Sequence, residues 1–195
     1  MILKPALIPT VVLSMLLVTA CEDTQILPEP VIDAPQRALK YDGSNVTAPQ
    51  LPANSYEAAA RFAGGSLGFA TGTLEDVYFY ILDRPSSCTI KVYEGTADNA
   101  PDSLIYSAVV SSDVVANSWN RHTLTRDVKV GAKDLWIAVK FSHSLDQRTL
   151  GCDAGPAAAD GDWLLDAADG QWIKLVNRTS LININWNIRG AVTPD

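Results

Sequence analysis

Histidine and cysteine are scarce in this chain, with two and three among 195 residues. The histidines, His122 and His143, stand without a GxSxG serine motif or a cysteine-nucleophile pattern, so neither completes a hydrolytic constellation. They read as surface or strand-edge residues. The cysteines form no CxxC pair and have no histidine nearby, which leaves zinc without a ligand set. Lys and Arg form no cluster or stripe, and the formal net charge is −7. Phosphate backbones need concentrated positive charge, so nucleic acid is excluded as a partner. An acidic balance suits a cationic ligand or a divalent ion better. Neither an internal repeat nor a sustained helical period is present. There is also no apolar run of the ~20 residues a spanning helix needs.

The longest apolar stretch is Ala6 to Ala20, preceded by Lys4 and followed by Cys21. A basic start and an apolar run of this length are the pattern of a secretory signal. It ends in Val18-Thr19-Ala20-Cys21, which resembles a lipobox: an aliphatic residue three before the cysteine, a small residue just before it, then the thiol that takes diacylglycerol. Residues 1–20 are therefore expected to be a lipoprotein signal peptide and Cys21 the lipidated, palmitate-bearing N-terminus. Acyl chains partition at ~0.8 kcal/mol per buried CH₂, so two or more anchor stably. Glu22 and Asp23 follow as candidate sorting residues. Residues 21–40 carry Pro28, Pro30 and Pro35 and read as an extended tether. Residues 41–195 read as one domain, large enough to hold a core without a metal staple.

What fills that domain is strand after strand. Val77, Phe79 and Ile81 alternate along one segment. Cys88, Ile90 and Val92 oppose Thr89, Lys91 and Tyr93 in the next. Leu135, Ile137, Val139 and Phe141 oppose Trp136, Ala138 and Lys140. Trp163-Leu164-Leu165 and Trp172–Val176 read as a hairpin turning at Asp169-Gly170. From Leu181 to Val192, the residues Ile182, Ile184, Trp186 and Ile188 should face inward, with Asn183, Asn185 and Asn187 facing out. Tyr56–Phe62 (YEAAARF) has helix propensity but is short enough to be a strand. About nine strands with Gly, Asp and Pro between them indicate an all-β fold, an antiparallel β-sandwich.

Cys88 and Cys152 remain once Cys21 is assigned to the anchor. In an exported protein an even pair reads as a disulfide. The loop Gly151–Trp163 (GCDAGPAAADGDW) gathers Asp153, Asp160 and Asp162. Loop carboxylates suit either turn formation or a structural Ca²⁺, although the spacing is not that of an EF-hand. The glycines and Pro156 predict an ordered loop, with Asp153 accepting backbone N–H bonds. Five tryptophans are more than a small core requires. Trp186 points with the isoleucines. Trp136 and Trp172 are candidates for exposure, where they could stack on sugars or anchor a protein interface. The amides of Asn183, Asn185 and Asn187 could read sugar hydroxyls.

The ordered segments AAARF (58–62), TIKVY (89–93), WN (119–120), DLWI (134–137), GCDAGP (151–156) and NWNIRG (185–190) together resemble an adhesin-type accessory β-sandwich domain of Gram-negative surface and secreted proteins. That domain often sits beside peptidase modules. The resemblance covers about residues 41–192. It implies a jelly-roll-like fold and an ancillary binding or adhesive role, without an established activity. The expected function is thus non-enzymatic: a lipid-anchored binding module of the cell envelope, at the outer membrane on a periplasmic or surface face, for a glycan or an envelope protein. The alternatives are a structural or assembly lipoprotein and, less favoured, a glycan hydrolase built on a carboxylate pair.

Overall fold

A computed structural model describes residues 28–96 and 99–195. The signal segment and Cys21 lie outside the described residues. The described residues form ten strands: β1 Arg37–Leu39, β2 Asn54–Phe62, β3 Gly72–Ile81, β4 Ser87–Gly95, β5 Ser103–Val109, β6 Ser118–Val130, β7 Asp134–His143, β8 Trp163–Asp166, β9 Trp172–Lys174 and β10 Ile188–Pro194. The one described helix is a single turn, α1, Leu175–Arg178. No described helix is long and apolar enough to cross a membrane.

The alternation of apolar and polar residues decides the layers. All strand pairs are antiparallel, in two sheets ordered β1-β10-β3-β6 and β5-β4-β7-β2-β8-β9. With the β8–β9 hairpin set aside, each sheet has four strands, interleaved as two Greek keys in the jelly-roll order. Cys88, Ile90 and Val92 of β4, Leu135 to Phe141 at alternate positions of β7, and Val77, Phe79 and Ile81 of β3 fill one core between the sheets. Each such side chain contributes roughly 1.5–3 kcal/mol on burial. Tyr56–Phe62 is strand, not helix. Its Tyr56, Ala58, Ala60 and Phe62 join the core while Glu57, Ala59 and Arg61 point the other way. Packing against β7 and β8 overrides the local helix preference of three alanines. Gly190 of β10 lets the sheets interlock, since a Cβ there would stand 2.6 Å from Ile137 Cδ1 and 2.9 Å from Leu74 Cδ1.

The sandwich begins before residue 41. β1 adds to β10, and Leu39 belongs to the core, so the expected tether of 21–40 is shorter than its proline content suggested. Arg189, buried on β10, fastens the segments on both sides of β1. Its Nη2 lies 2.8 Å from Asp42 Oδ2 and its Nη1 lies 3.5 Å from Glu29 Oε2. The Arg189 guanidinium also sits over the Trp119 ring at 4.4 Å. Such stacking on an aromatic face suits a weakly hydrated guanidinium.

Candidate functional site

The solvent side of the six-stranded sheet carries a second apolar cluster, separate from the core. Side chains alternate across a strand. The residues opposite the core on β2, β7 and β4 are therefore Glu57, Ala59 and Arg61, then Trp136, Ala138 and Lys140, then Lys91 and Tyr93. Ala59 pairs with Ala138 across the β2–β7 ladder. Two small side chains at the middle of the face leave a trough. The rings of Trp136, Trp163 and Trp172 fill it, with Trp136 5.0 Å from Trp163 and 5.7 Å from Trp172. Tyr93 meets Trp172 nearly edge-on at 6.5 Å. Trp163 and Trp172 come from the appended β8–β9 hairpin, so that hairpin builds the cluster. Trp136 and Trp163 are buried, whereas Tyr93 and Trp172 keep part of their rings in solvent.

A polar group borders the aromatic one. Glu57 is only 2% exposed although it points away from the core. Tyr93 Oη donates to Glu57 Oε1 at 2.5 Å, and Lys91 Nζ donates to Glu57 Oε2 at 2.8 Å and to Tyr93 Oη at 2.9 Å. Burial, together with the hydrogen bond to Glu57 and its charge, pushes the Tyr93 phenol far above its ordinary value. Tyr93 thus remains a protonated donor. A cleft of about 120 Å³ opens beside this triad, lined by Ser55, Tyr56, Glu57, Lys91, Lys140, Leu165 and Ala167. Lys140 is exposed at its rim and has no ion-pair partner among the described residues. Further along the face, Arg61 is held by Asp134 at 2.6 Å and Asp160 at 3.3 Å.

The residues expected from the sequence are not all brought together here. Trp136 and Trp172 do share this face, but Trp136 is fully buried, which corrects its expected exposure. The trough between the alanines accommodates it, and its indole N–H has no hydrogen-bond partner. Asn183 is exposed as expected, whereas Asn185 and Asn187 are buried. The strand starts only at Ile188, and residues 185–187 just before it are buried. Asn185 Nδ2 donates to Asp153 and to the Pro156 carbonyl, and Asn187 Nδ2 donates to Asp42 at 2.7 Å. The three asparagines therefore make no common face with the tryptophans. His143 is buried as well, with Nδ1 donating to the Leu145 carbonyl at 2.7 Å.

Asp153, Asp160 and Asp162 diverge. Among the described residues no group of three His, Cys, Asp or Glu is placed to hold a metal ion. Asp153 accepts four bonds: from the backbone N–H of Gly43 at 3.0 Å, of Gly155 at 2.9 Å and of Asn185 at 2.8 Å, and from Asn185 Nδ2 at 2.9 Å. Asp160 turns to Arg61 and to the Trp163 indole N–H. Asp162 accepts from the Val176 N–H at 2.9 Å. The loop is built into the fold. Gly155 has φ +74°, and a Cβ there would stand 1.9 Å from the Asn183 carbonyl oxygen.

The expected disulfide is absent. Cys88 and Cys152 are free, buried thiols in the same core. Cys88 lies on β4 opposite Phe141, while Cys152 is bridged to Thr47 and Trp186 along the end of β3. They enter the core from different layers. Sheets stacked ~10 Å apart exceed the ~4.4–6.8 Å Cα separation of a disulfide unless locally pinched.

The sequence already contained the signal for the polar triad. Thr89, Lys91 and Tyr93 read as the face opposite the core, and a strand reading of YEAAARF puts Glu57 on the same side. The helix propensity of that segment hid it.

No protein-family profile matches the chain. No curated protein matches it either. Two solved structures share its fold. One is the clostridial cysteine protease Cwp84 C116A after propeptide cleavage, with a TM-score of 0.62 and 11% identity over 84% of this chain. The other holds the cysteine protease and lectin-like domains of Cwp84, a surface layer associated protein of Clostridium difficile, with a TM-score of 0.51 and 14% identity over 80% of this chain. This chain spans about two fifths of those proteins, 41% and 37% of their lengths. At such identity the likeness establishes a shared β-sandwich architecture.

Proposed function

We propose that this chain is a non-enzymatic binding module of the bacterial cell surface or envelope, and that its ligand is a glycan held on the outer face of the six-stranded sheet. The observation that carries this reading is the part-exposed pair Trp172 and Tyr93, seated on a buried tryptophan base beside the Glu57–Lys91 pair. Rigid aromatic faces stack on sugar rings, and neighbouring hydrogen-bonding groups fix their orientation. The architecture shared with a structure described as containing a lectin-like domain, and the adhesin-type resemblance of the sequence, point the same way. The carboxylates on this face support a binding role over hydrolysis, because Glu57, Asp134 and Asp160 are each engaged in ion pairs. A lipid anchor at Cys21 would hold the module at the membrane.

The test is a screen of the detergent-solubilised full chain against polysaccharides, repeated with Trp172→Ala. Binding that falls at least ten-fold in the variant, an effect of about 1.4 kcal/mol, is expected. Binding unchanged by Trp172→Ala would move the ligand off this face. A protein partner is the second reading, and it rests on another surface: the free edge of β5, where Leu104 is 52% and Val109 76% exposed. Unpaired edges of this kind accept an added strand.

A further inference from the structure

We propose that the cleft between Glu57 and Lys140 selects acidic sugars, taking the carboxylate of a uronic acid while Trp172 and Tyr93 hold neighbouring rings. This deepens the glycan reading and rests on it. The chain is acidic, with a net charge of −7. Most described cations are committed to carboxylates or carbonyls, such as Arg61, Arg121, Lys129, Lys133, Arg178 and Arg189.

The cleft departs from that pattern. Its carboxylate, Glu57, has one oxygen taken by Tyr93 Oη and the other by Lys91 Nζ, so its charge is matched within the triad. Lys140 then stands at the rim as an uncompensated ammonium facing the same space. The groups around the cleft thus sum to one positive charge. A cation beside a hydrogen-bonded, part-dry cleft favours an anion. Lysine, a compact point charge with rotatable N–H donors and no fork, pairs with a carboxylate without fixing its plane, which suits a carboxylate on a flexible sugar.

The register supplies the reach. Lys140 pairs with Glu57, Glu57 with Leu165, and Leu165 with Trp172, in one row across four strands. The Trp172 ring folds back to 5.7 Å from Trp136, which stands four residues before Lys140 on β7, about 13 Å along the strand. A short oligosaccharide covers that length, with its acidic ring over the cleft and its neighbours on Trp172.

The experiment is calorimetric titration of the full chain in detergent with oligosaccharides from uronate polysaccharides, and with the same oligosaccharides after methyl esterification. Wild type, Lys140→Met and Trp172→Ala are compared. Lys140 is exposed, so its replacement leaves the packing intact. The acid form should bind roughly five-fold or more tighter than the ester, in line with one partly screened ion pair. Lys140→Met should abolish that preference, and added salt should erode it. Trp172→Ala should weaken both forms. Equal binding of acid and ester, or a preference that survives in Lys140→Met, overturns the charge assignment and leaves the glycan reading standing if Trp172→Ala still weakens binding. No binding of either form by wild type overturns the assignment, and a failed neutral-polysaccharide screen then removes the glycan reading as well.

Discussion

Asp153 concentrates on one side chain the hydrogen bonds of three backbone segments. Burial alone would raise its carboxyl, but the bonds from the Asn185 backbone and amide, from Gly43 and from Gly155 outweigh that and hold it below the usual carboxylate range. Asp153→Ala leaves these donors without an acceptor in a nearly dry site and should cost ~2–3 kcal/mol in urea unfolding. The folded value lies below the unfolded one of ~3.9, so this stabilisation is complete above that pH and is lost as pH falls through the folded value. The stability gap between wild type and Asp153→Asn should accordingly narrow below about pH 4. A constant gap would mean the charge of Asp153 is not what the donors recognise. The cysteines make a second prediction at this scale. Burial pushes the Cys88 thiol up to about 12, and burial together with the Asp153 charge does the same for Cys152, also to about 12. A thiol so protonated is a poor nucleophile. Both should resist a thiol reagent in the native domain and react in denaturant without reductant. Failure to react after denaturation would reveal a disulfide.

The β8–β9 hairpin is the element that turns a jelly-roll frame into a candidate binding face. It lengthens the six-stranded sheet past β2 and supplies two of the three clustered tryptophans. Its two aromatic residues should behave differently. Trp163 is buried, its ring packs on Trp136 and its indole N–H reaches Asp160, so Trp163→Ala should cost ~3–5 kcal/mol. Trp172 is partly exposed and, among the described aromatics, packs on Trp136 and Tyr93, so Trp172→Ala should cost no more than ~1–2 kcal/mol. Denaturation midpoints of the two variants check this. Equal large losses would make Trp172 a core residue, and its ring would no longer be a credible ligand platform.

For the molecule as a whole, the domain is tied down from Glu29 onward by Arg189 and by β1. A lipid anchor of the kind proposed at Cys21 would leave only residues 22–28 to join it to the domain. Cys21→Ser should abolish acylation and release the chain from the membrane fraction, with the domain unchanged in its circular dichroism. Detergent-phase partitioning equal to wild type would rule the anchor out.

The amino-acid sequence by itself determined the all-β class and the positions and inward faces of β3, β4 and β7. Burying one face of an antiparallel sheet demands an alternation of period two, and that alternation can be read without knowing the partner. The β8–β9 hairpin was legible for the same reason, through its Asp169-Gly170 turn between apolar runs. Only the tertiary structure decided which polar faces stay wet. Asn185 and Asn187 alternate like surface residues, yet the 151–162 loop and the Asp42 segment cover them and supply their partners. Trp136 alternates outward and is nevertheless buried, because a hairpin some thirty residues later folds its rings over Ala59 and Ala138. Local period reports the side of a strand on which a residue lies. What later packs on that side is settled by contacts between segments far apart in the chain, and the Glu57–Lys91–Tyr93 triad exists only because β2 and β4 meet on either side of β7.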